Sequence, residues 1–420
     1  MVWHRPELAL SIFRTIEASL RPLLENLTHL VWNHTIFDIT PFLGSKLSRI
    51  YIATKPSYIP SLIDSLKTFA PLLNNIEFSI TQWPQKKLSP AIIDFIHSLQ
   101  TLHCLKLTGS FITPDYLAHL SGLPHLRMLY ITLDTSHGHT QSRSLLRDNS
   151  FPALREFGIC TSSWTIAIDI FAAYMRHLPL QTVEMEVERV PSQIEVTRLL
   201  DTILDCCLPD SLRRLVFRPD DIGKADADEI LPCVLDPPAI RRFFAFPNLE
   251  VLRISAAISF DDIDDDLIKD MVSKWPRLKE LELLYYRGFG VDVHSKVTLY
   301  GLLPLADSPH FTSLTIHLNA TILPAKIILR PDGSFHNGAL SHLAVGYSPI
   351  GDSVAVASFL SNVFPNLMDI EAWDNIHGYV NPLEEGSAPM LWQQVVSFYQ
   401  PFVNIRKQER DLAVRTQQLK

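Results

Sequence analysis

Glycine is scarce in this sequence, at 15 of 420 residues. The patterns G-x-x-x-x-G-K-[ST], G-x-G-x-x-G and G-x-S-x-G do not occur. Phosphate-binding loops need glycine because the backbone must approach the phosphate closely. The sequence therefore does not support a nucleotide-dependent activity, and we predict no catalytic residue, no cofactor and no enzymatic function.

Cysteine is also scarce, with five residues, an odd number, and no C-x-x-C pair. This density excludes a secreted disulfide scaffold. An adjacent pair, Cys206 and Cys207, ends an apolar helix-like segment and is interpreted as buried thiols, because no base is spaced to activate a nucleophile. We predict no metal site, since the cluster His137-Gly138-His139, with His103 and His125 upstream, lacks a ligand set of defined spacing.

Positive charge is not in excess, because the formal net charge is −8 and the isoelectric point is about 6.0. A nucleic-acid or anionic-membrane binder needs a basic face, so neither partner is expected. No run of about eighteen apolar residues is present to span a bilayer. Residues 1–10 contain no apolar signal core. We expect an intracellular protein, cytoplasmic and/or nuclear.

A repeated phrase dominates what is present. The segments FPNLEVLRIS (246–255), WPRLKELELL (275–284), FPALREFGIC (151–160) and FPNLMDIEAW (364–373) share an aromatic residue, a proline and the order L-x-x-L-x-L. Thirteen copies of the phrase, with any large apolar residue allowed, start at Leu27, Leu47, Leu73, Leu102, Leu126, Leu154, Leu180, Leu212, Leu249, Leu278, Phe311, Leu340 and Leu367. Their mean spacing, about 28 residues, is typical of leucine-rich repeats.

Strand geometry gives this phrase a structure. Alternate side chains of a strand point to opposite faces, so positions four and six of each phrase point inward together and positions three, five and seven point outward. Helix-like segments lie between the phrases, at 57–69, 90–99, 114–123, 164–175, 193–207, 266–275 and 353–364. Ser89, Thr113 and Ser192 are predicted helix caps. We predict an α/β leucine-rich-repeat solenoid, a horseshoe with parallel concave strands and convex helices.

The predicted solenoid covers residues 27–387. Residues 388–420 are expected to form a capping helix (388–403) and a polar tail, and residues 1–26 a cap or vestigial segment. Two long intervals, 218–242 and 285–310, are interpreted as loop insertions. The acidic run 261–266 does not fit a calcium loop, which needs glycine at position six and glutamate at position twelve, and is interpreted as a helix start.

The opening segment SIFRTIEASLRPLLENLTHLVW…PFLGSKLSRIYI, together with the repeats over about residues 8–375, resembles the repeat region of fungal F-box/leucine-rich-repeat proteins. The resemblance implies a substrate-recognition subunit of a cullin-based ubiquitin ligase, in which an F-box docks on a Skp-type adaptor and cullin. Here PELALSIFRTI (6–16) matches only the first F-box helix, so the F-box is absent or vestigial.

The predicted partner-binding surface is the concave face, where outward positions carry aromatic and charged residues. Its members are Tyr51, Tyr130, Glu184, Glu186, Arg214, Arg218, Arg253, Glu280, Glu282 and Trp373. Arginine and the aromatic residues are enriched at binding hot spots. The alternative interpretation of the charged members is a cross-strand ion ladder that only stabilises the sheet.

Two functions remain open at this point. The first is a protein-interaction module of the ligase-subunit kind, with a protein substrate on the concave face. The second is a freestanding leucine-rich-repeat scaffold, an inhibitor, or a GTPase-activator-type regulator without a ligase role. A GTPase activator would present an arginine from an exposed loop, and Arg241 and Arg287 are the candidates.

Overall fold

A computed structural model describes most of the chain. The described residues are 24–33, 39–55, 58–80, 86–88, 90–133, 150–187, 191–219, 233–255, 258–283, 295–323, 339–372 and 386–418. They belong to two compact units. The first comprises Met1–Val187 with Asp205–Leu208, and the second Glu188–Leu204 with Pro209–Lys420. Among the described residues, no helix has both the length and the apolar character needed to cross a bilayer.

The first unit is a parallel sheet with helices between its strands. Its strands are β1 (His29–Trp32), β2 (Arg49–Thr54), β3 (Asn75–Ile80), β4 (Lys86–Lys87), β5 (Cys104–Ile112), β6 (Met128–Leu133), β7 (Glu156–Thr161) and β8 (Thr182–Val187). They pair in chain order, except that the short β4 pairs with β5 off the main path. Its helices are α1 (Ile59–Phe69), α2 (Pro90–Ser98), α3 (Pro114–Leu120) and α4 (Trp164–Tyr174).

The second unit repeats this arrangement. Its main strands are β9 (Arg214–Pro219), β11 (Val251–Ile254), β13 (Glu280–Leu283), β14 (Ser313–Ile316), β15 (His342–Ala344) and β16 (Asp369–Glu371), and β10 (Cys233–Val234) pairs separately with β12 (Ile258–Ser259). Its helices are α5 (Gln193–Cys206, whose last two residues belong to the first unit), α6 (Pro237–Arg242), α7 (Asp265–Lys274), α8 (Leu303–Ala306), α9 (Ser353–Val363) and α10 (Ala388–Gln418).

Every predicted phrase coincides with a strand. Each of the thirteen main strands of the two units begins two residues after a predicted phrase start. In the phrase that contains β13, the side chains of Leu278, Leu281 and Leu283 are each 1% exposed, whereas Glu280 and Glu282 between them reach solvent. Parallel stacking of such strands buries one apolar ladder within each unit. The predicted leucine-rich-repeat α/β solenoid fold is confirmed.

The aromatic residue that precedes each proline has a packing role. Phe151, Phe246, Trp275 and Phe364 are all at most 1% exposed. The backbone carbonyl of Trp275 accepts a hydrogen bond from the amide of Leu278 at 3.0 Å, which closes the turn into the strand. Proline has no amide hydrogen to donate to the preceding helical turn, which favours the departure of the chain from the helix at this point. The phrase is thus a buried turn followed by a strand.

The predicted helices are present with small shifts at their ends, and one predicted cap behaves as expected. Ser192 and Glu195 form a capping box at the start of α5, because the Glu195 side chain accepts from the Ser192 amide at 2.9 Å while the Ser192 hydroxyl accepts from the Glu195 amide at 3.3 Å. Thr113 precedes α3 but its hydroxyl makes no capping hydrogen bond. Ser89 lies outside the described residues.

The two long intervals are not simple loops. The interval at 218–242 contains β10 and α6, and Asp236 caps α6 by accepting from the amide of Ala239 at 2.9 Å. The interval at 285–310 contains a 3-10 helix (Leu299–Leu302) followed by α8. The loop interpretation was wrong for these parts, since a two-residue strand or a four-residue helix leaves no periodic pattern in the sequence. Residues 220–232 and 284–294 lie outside the described residues.

The C-terminal helix predicted at 388–403 is present and continues to Gln418 as α10. It packs on α9 and on the turns before and after that helix. The Trp392 Nε1–H donates to the carbonyl of Ser348 at 2.9 Å, and the Arg406 guanidinium donates to the hydroxyls of Ser358 and Ser361. Most of the predicted cap or vestigial segment at 1–26 lies outside the described residues.

Candidate functional site

Outward side chains of the first unit form rows that cross its strands. Strand register aligns position five of seven consecutive phrases, and the aligned residues are Val31, Tyr51, Glu77, Lys106, Tyr130, Gly158 and Glu184. We call this row the tyrosine row. Two of its residues, Tyr51 and Tyr130, are among the predicted binding residues, and Glu184 is a third. Apart from Gly158, which is buried, its members are partly or largely exposed.

The centre of the tyrosine row is a contact between a ring and a glycine. A Cβ atom on Gly158 would overlap the Cδ1 and Cε1 atoms of Tyr130, so the tyrosine ring extends over β7. On the other side of Tyr130, the Lys106 ammonium lies 5.0 Å from the ring centroid, at cation–π distance. The Tyr130 ring is therefore held in a fixed position on an outward face.

Carboxylates are concentrated on the last two strands of the first unit. Outward positions carry Glu156 on β7, and Glu184 and Glu186 on β8. Glu77 on β3 adds a fourth carboxylate, while Arg49 and Lys106 supply positive charge at outward positions of the described strands β2 and β5. On these described strands the face has more acidic than basic groups. It also contains two aromatic rings.

The second unit has an ion cluster on the equivalent face. The Arg253 guanidinium on β11 donates to Glu280 Oε2 on β13, at 3.0 Å from Nε and 2.5 Å from Nη2, and its Nε lies 3.7 Å from Glu282. All three side chains are 26–30% exposed. Arg253 thus separates two carboxylates that would otherwise face each other along one strand. This is the contact that the ion-ladder alternative requires.

A second ion cluster lies one residue before the strands. Glu250 accepts from Arg213 Nη1 at 2.8 Å and from Lys279 Nζ at 2.6 Å. The hydrogen bond from Lys279, followed by that from Arg213, lowers the pKa of Glu250. These three residues occupy position two of three successive phrases. Charge pairing across strands is therefore a structural feature of the second unit.

Several outward positions are too buried to contact a partner. Val251 is 8% exposed and Ser255 6%, although both flank Arg253 in the repeat. Val216, the register partner of Arg253 on β9, is 1% exposed. Alternation therefore sets the direction of a side chain but not its exposure. Arg214 and Glu280 at position three are partly exposed, and Arg218 is exposed.

The remaining sequence candidates are not assembled into a site among the described residues. Trp373, Arg287, His137 and His139 lie outside them. Arg241 belongs to helix α6 and not to an exposed loop, because Asp236, Pro237 and Pro238 start a helix there. Its guanidinium pairs with Asp270 on α7, at 3.0 Å from Nη2 and 3.2 Å from Nε. Of the two arginines expected for the GTPase-activator alternative, Arg241 is therefore not presented from a loop, and Arg287 lies outside the described residues.

The polar runs have structural roles. Asp264 caps α7 by accepting from the amide of Leu267 at 2.9 Å. Asp265 accepts hydrogen bonds from the amide and the hydroxyl of Thr298, both at 2.7 Å, and thereby connects the next segment to the helix.

Cys206 and Cys207 are buried as predicted, and burial raises the pKa of Cys206 to about 11, which keeps the thiol protonated. The rings of His103 and His125 stack at 6.0 Å.

Sequence reasoning missed Glu77, Lys106 and Gly158. The signal was present, because all three occupy position five of a predicted phrase, the position that selected Tyr51 and Tyr130. Their residue types alone do not indicate a binding surface. Their role in the tyrosine row depends on contacts with side chains of adjacent strands.

Comparison with known proteins gives resemblance of fold only. No protein-family model matches the chain, and no curated protein matches it. Among solved structures, the chain is similar to one from the complex of Rad7 and Elc1 in yeast, with 15% identity, a TM-score of 0.45, and coverage of 90% of this chain and 85% of that one.

Two further solved structures are similar to this chain, but the matched regions are smaller. A chain of the TLR13–ssRNA13 complex has 16% identity and a TM-score of 0.42, and the match covers 84% of this chain and 47% of that one. A Bacteroides fragilis protein has 17% identity and a TM-score of 0.33, and the match covers 55% of this chain and 71% of that one. The assignment of the fold therefore rests on the strand order and register described above.

Proposed function

We propose that this chain is a protein-interaction module without catalytic activity that binds its partner on the outward face of the first unit's strands. The observation that carries the proposal is the tyrosine row. Tyr51 and Tyr130 contribute little to the inward apolar ladder, yet one of them is held in place by Gly158 and Lys106. A preorganised aromatic ring costs little entropy on binding and is typical of hot spots.

Charge defines the partner's chemistry. Four carboxylates and two cations occupy outward positions of the seven main strands of this unit, β1–β3 and β5–β8. Electrostatic complementarity favours a partner that presents basic side chains to β7 and β8. Its apolar or aromatic groups would contact the rings of Tyr51 and Tyr130. The partner is thus a protein segment with basic and apolar residues together.

The resemblance to F-box/leucine-rich-repeat proteins leads us to propose a more specific role. In this role the chain selects a protein substrate for ubiquitin transfer, and a Skp-type adaptor with its cullin assembles on an F-box. The leucine-rich-repeat scaffold supports the substrate half of the proposal, because such solenoids present extended binding surfaces. The adaptor half depends on the segment around residues 6–16.

Affinity capture with matched tyrosine variants tests the binding proposal. Three proteins would each be immobilised and exposed to cell extract: the wild-type chain, the double variant Tyr51→Ala/Tyr130→Ala, and Tyr58→Ala. Mass spectrometry would quantify the proteins that each one binds. Tyr58 is an exposed tyrosine at the start of α1, 46% exposed, and controls for loss of a ring. We expect the wild type and Tyr58→Ala to retain the same proteins. The amount of each protein captured by the double variant should be at least about tenfold lower.

Equal capture by all three proteins would contradict the tyrosine row as the binding surface, provided that circular dichroism shows the same fold. Adding purified Skp-type adaptor to the full chain tests the ligase role separately. Co-elution of the two on gel filtration supports that role. A full chain that binds a partner through its tyrosines but does not bind the adaptor would be a freestanding scaffold.

A further inference from the structure

Three metal-ligating side chains converge on the last two strands of the second unit. His342 lies on β15, and Asp369 and Glu371 lie on β16. One ring nitrogen of the histidine and one oxygen of each carboxylate are all within 4.8 Å of one another. His342 Nδ1 and Asp369 Oδ2 are 3.4 Å apart. A nitrogen and two oxygens therefore surround one point on an accessible surface.

The fold fixes the backbone beneath this cluster. Parallel pairing places His342 opposite Asp369 and Ala344 opposite Glu371. Asp369 and Glu371 are two residues apart, so both side chains leave the same face of β16. The adjacent inward residue of β15, Leu343, is 0% exposed and anchors the strand in the core. Sheet register thus fixes the backbone positions of all three residues, which lie on strands and not on a loop.

The distances suit a small cation. Tetrahedral zinc at about 2.0–2.1 Å from each ligand places the ligand atoms roughly 3.4 Å apart. The separation of His342 Nδ1 and Asp369 Oδ2 already has this value. A carboxylate oxygen of Glu371 lies within 4.8 Å of the other two donor atoms, a separation that a change of rotamer of this unbranched side chain can close.

We propose that His342, Asp369 and Glu371 form a binding site for a divalent transition metal of the zinc class. An imidazole nitrogen favours such metals over calcium and magnesium, which prefer all-oxygen sites. Three protein ligands leave a fourth position for water or a group from another molecule. The imidazole sets this cluster apart from a purely acidic surface patch. Metal binding displaces any proton from the coordinating nitrogen.

No metal site was predicted from the sequence, because the three ligands do not lie close together along the chain. His342 and Asp369 are 27 positions apart. The repeat contains the missing signal, since His342 and Asp369 both occupy position three of their phrases and Glu371 occupies position five. Aligning the phrases by strand register brings the three together.

Isothermal titration of the metal-stripped full chain with Zn²⁺ alone tests the site. The chain has 16 histidines, so the difference between variants is the measurement. We expect the wild type to bind one more equivalent than His342→Ala and one more than Asp369→Asn/Glu371→Gln. His310→Ala, which removes an exposed histidine of the same unit, is expected to keep that equivalent. Circular dichroism would verify that each variant is folded.

The same stoichiometry and affinity in all four proteins would overturn the proposal. Competition tests the metal class. Millimolar Ca²⁺ should leave the additional equivalent of Zn²⁺ bound, because an imidazole ligand favours transition metals over calcium. Displacement of that equivalent by Ca²⁺ would contradict an imidazole-ligated transition metal.

Discussion

The hydroxyl of Tyr399 on α10 donates a hydrogen bond to the backbone carbonyl of Phe364 at 2.6 Å. The same oxygen accepts from the amide of Leu367 at 2.9 Å. Both backbone groups belong to the turn of the last repeated phrase, which has no further repeat in the described part of the chain to cover it. Burial raises the pKa of Tyr399 to about 12, against a smaller opposing effect of the Leu367 amide. One side chain thus closes the end of the second unit.

Removing that hydroxyl should destabilise the protein. Tyr399→Phe leaves a buried amide and a buried carbonyl without their partner, which costs on the order of 1–3 kcal/mol. Urea denaturation followed by circular dichroism would measure the loss. Tyr58→Phe, at an exposed tyrosine, is the control and should have no measurable effect. Equal stability of the two variants would show that α10 does not depend on this contact.

Gly158 and Tyr130 should be energetically coupled. In the wild-type background Gly158→Ala must displace the Tyr130 ring and weaken its contact with Lys106, so we expect a loss of about 1 kcal/mol. In the Tyr130→Ala background the same change should be neutral or stabilising by roughly 0.5 kcal/mol, because alanine is favoured over glycine in a strand. A double-mutant cycle in urea gives the coupling. Additive effects would contradict the ring-over-glycine contact.

Arg253 should stabilise the second unit by a modest, salt-dependent amount. Arg253→Ala leaves Glu280 and Glu282 without the cation between them. Because these groups are nearly one-third exposed, solvent screening limits the loss to about 0.5–1 kcal/mol. The loss should shrink at 1 M NaCl. Arg277→Ala, at an exposed arginine of the same unit, is the matched control.

Acid should weaken the second unit through His317. Burial lowers the pKa of His317 to about 4, and Asp261 opposes this shift weakly. Since the folded pKa lies below the unfolded value of about 6.5, the stabilising contribution is complete above pH 6.5 and is lost as the pH falls towards 4, by on the order of 2–3 kcal/mol. His317→Gln should flatten this part of the stability–pH curve.

Urea midpoints at pH 7 and pH 4.5 would provide the comparison for His317. His310→Gln is the control, because His310 is exposed in the same unit. If His317→Gln loses as much stability on acidification as the wild type, then other groups account for the acid sensitivity and the buried imidazole does not.

The strands could be predicted closely because the inward positions obey one rule. Leu249, Leu252 and Ile254 must fill the same ladder as Leu278, Leu281 and Leu283, so the phrase recurs at every strand. The pairing of β10 with β12 had no such signal, since two-residue strands carry no period. Its position depends on tertiary context.

The sequence predicts which face of the sheet each site residue points to, but not which side chains it contacts there. The phrase indicates that Tyr130 and Arg253 point outward, and they do. It does not indicate that the Tyr130 ring lies over Gly158, or that Arg253 pairs with Glu280 on the next strand. Those contacts depend on rotamers and on the size of the neighbour, which a single repeat does not encode. Reading the phrases as an aligned array, instead of one by one, would recover part of this information.

Strand register also determines which substitutions on the outward faces affect one another. In each unit, an outward side chain of an interior strand has lateral neighbours only on the two adjacent strands, as Glu282 has Arg253 and Thr315. Substitutions separated by several strands should therefore add without interfering. Such a surface can be re-specified one strand at a time, by selection or by design, while the buried leucines keep the scaffold intact.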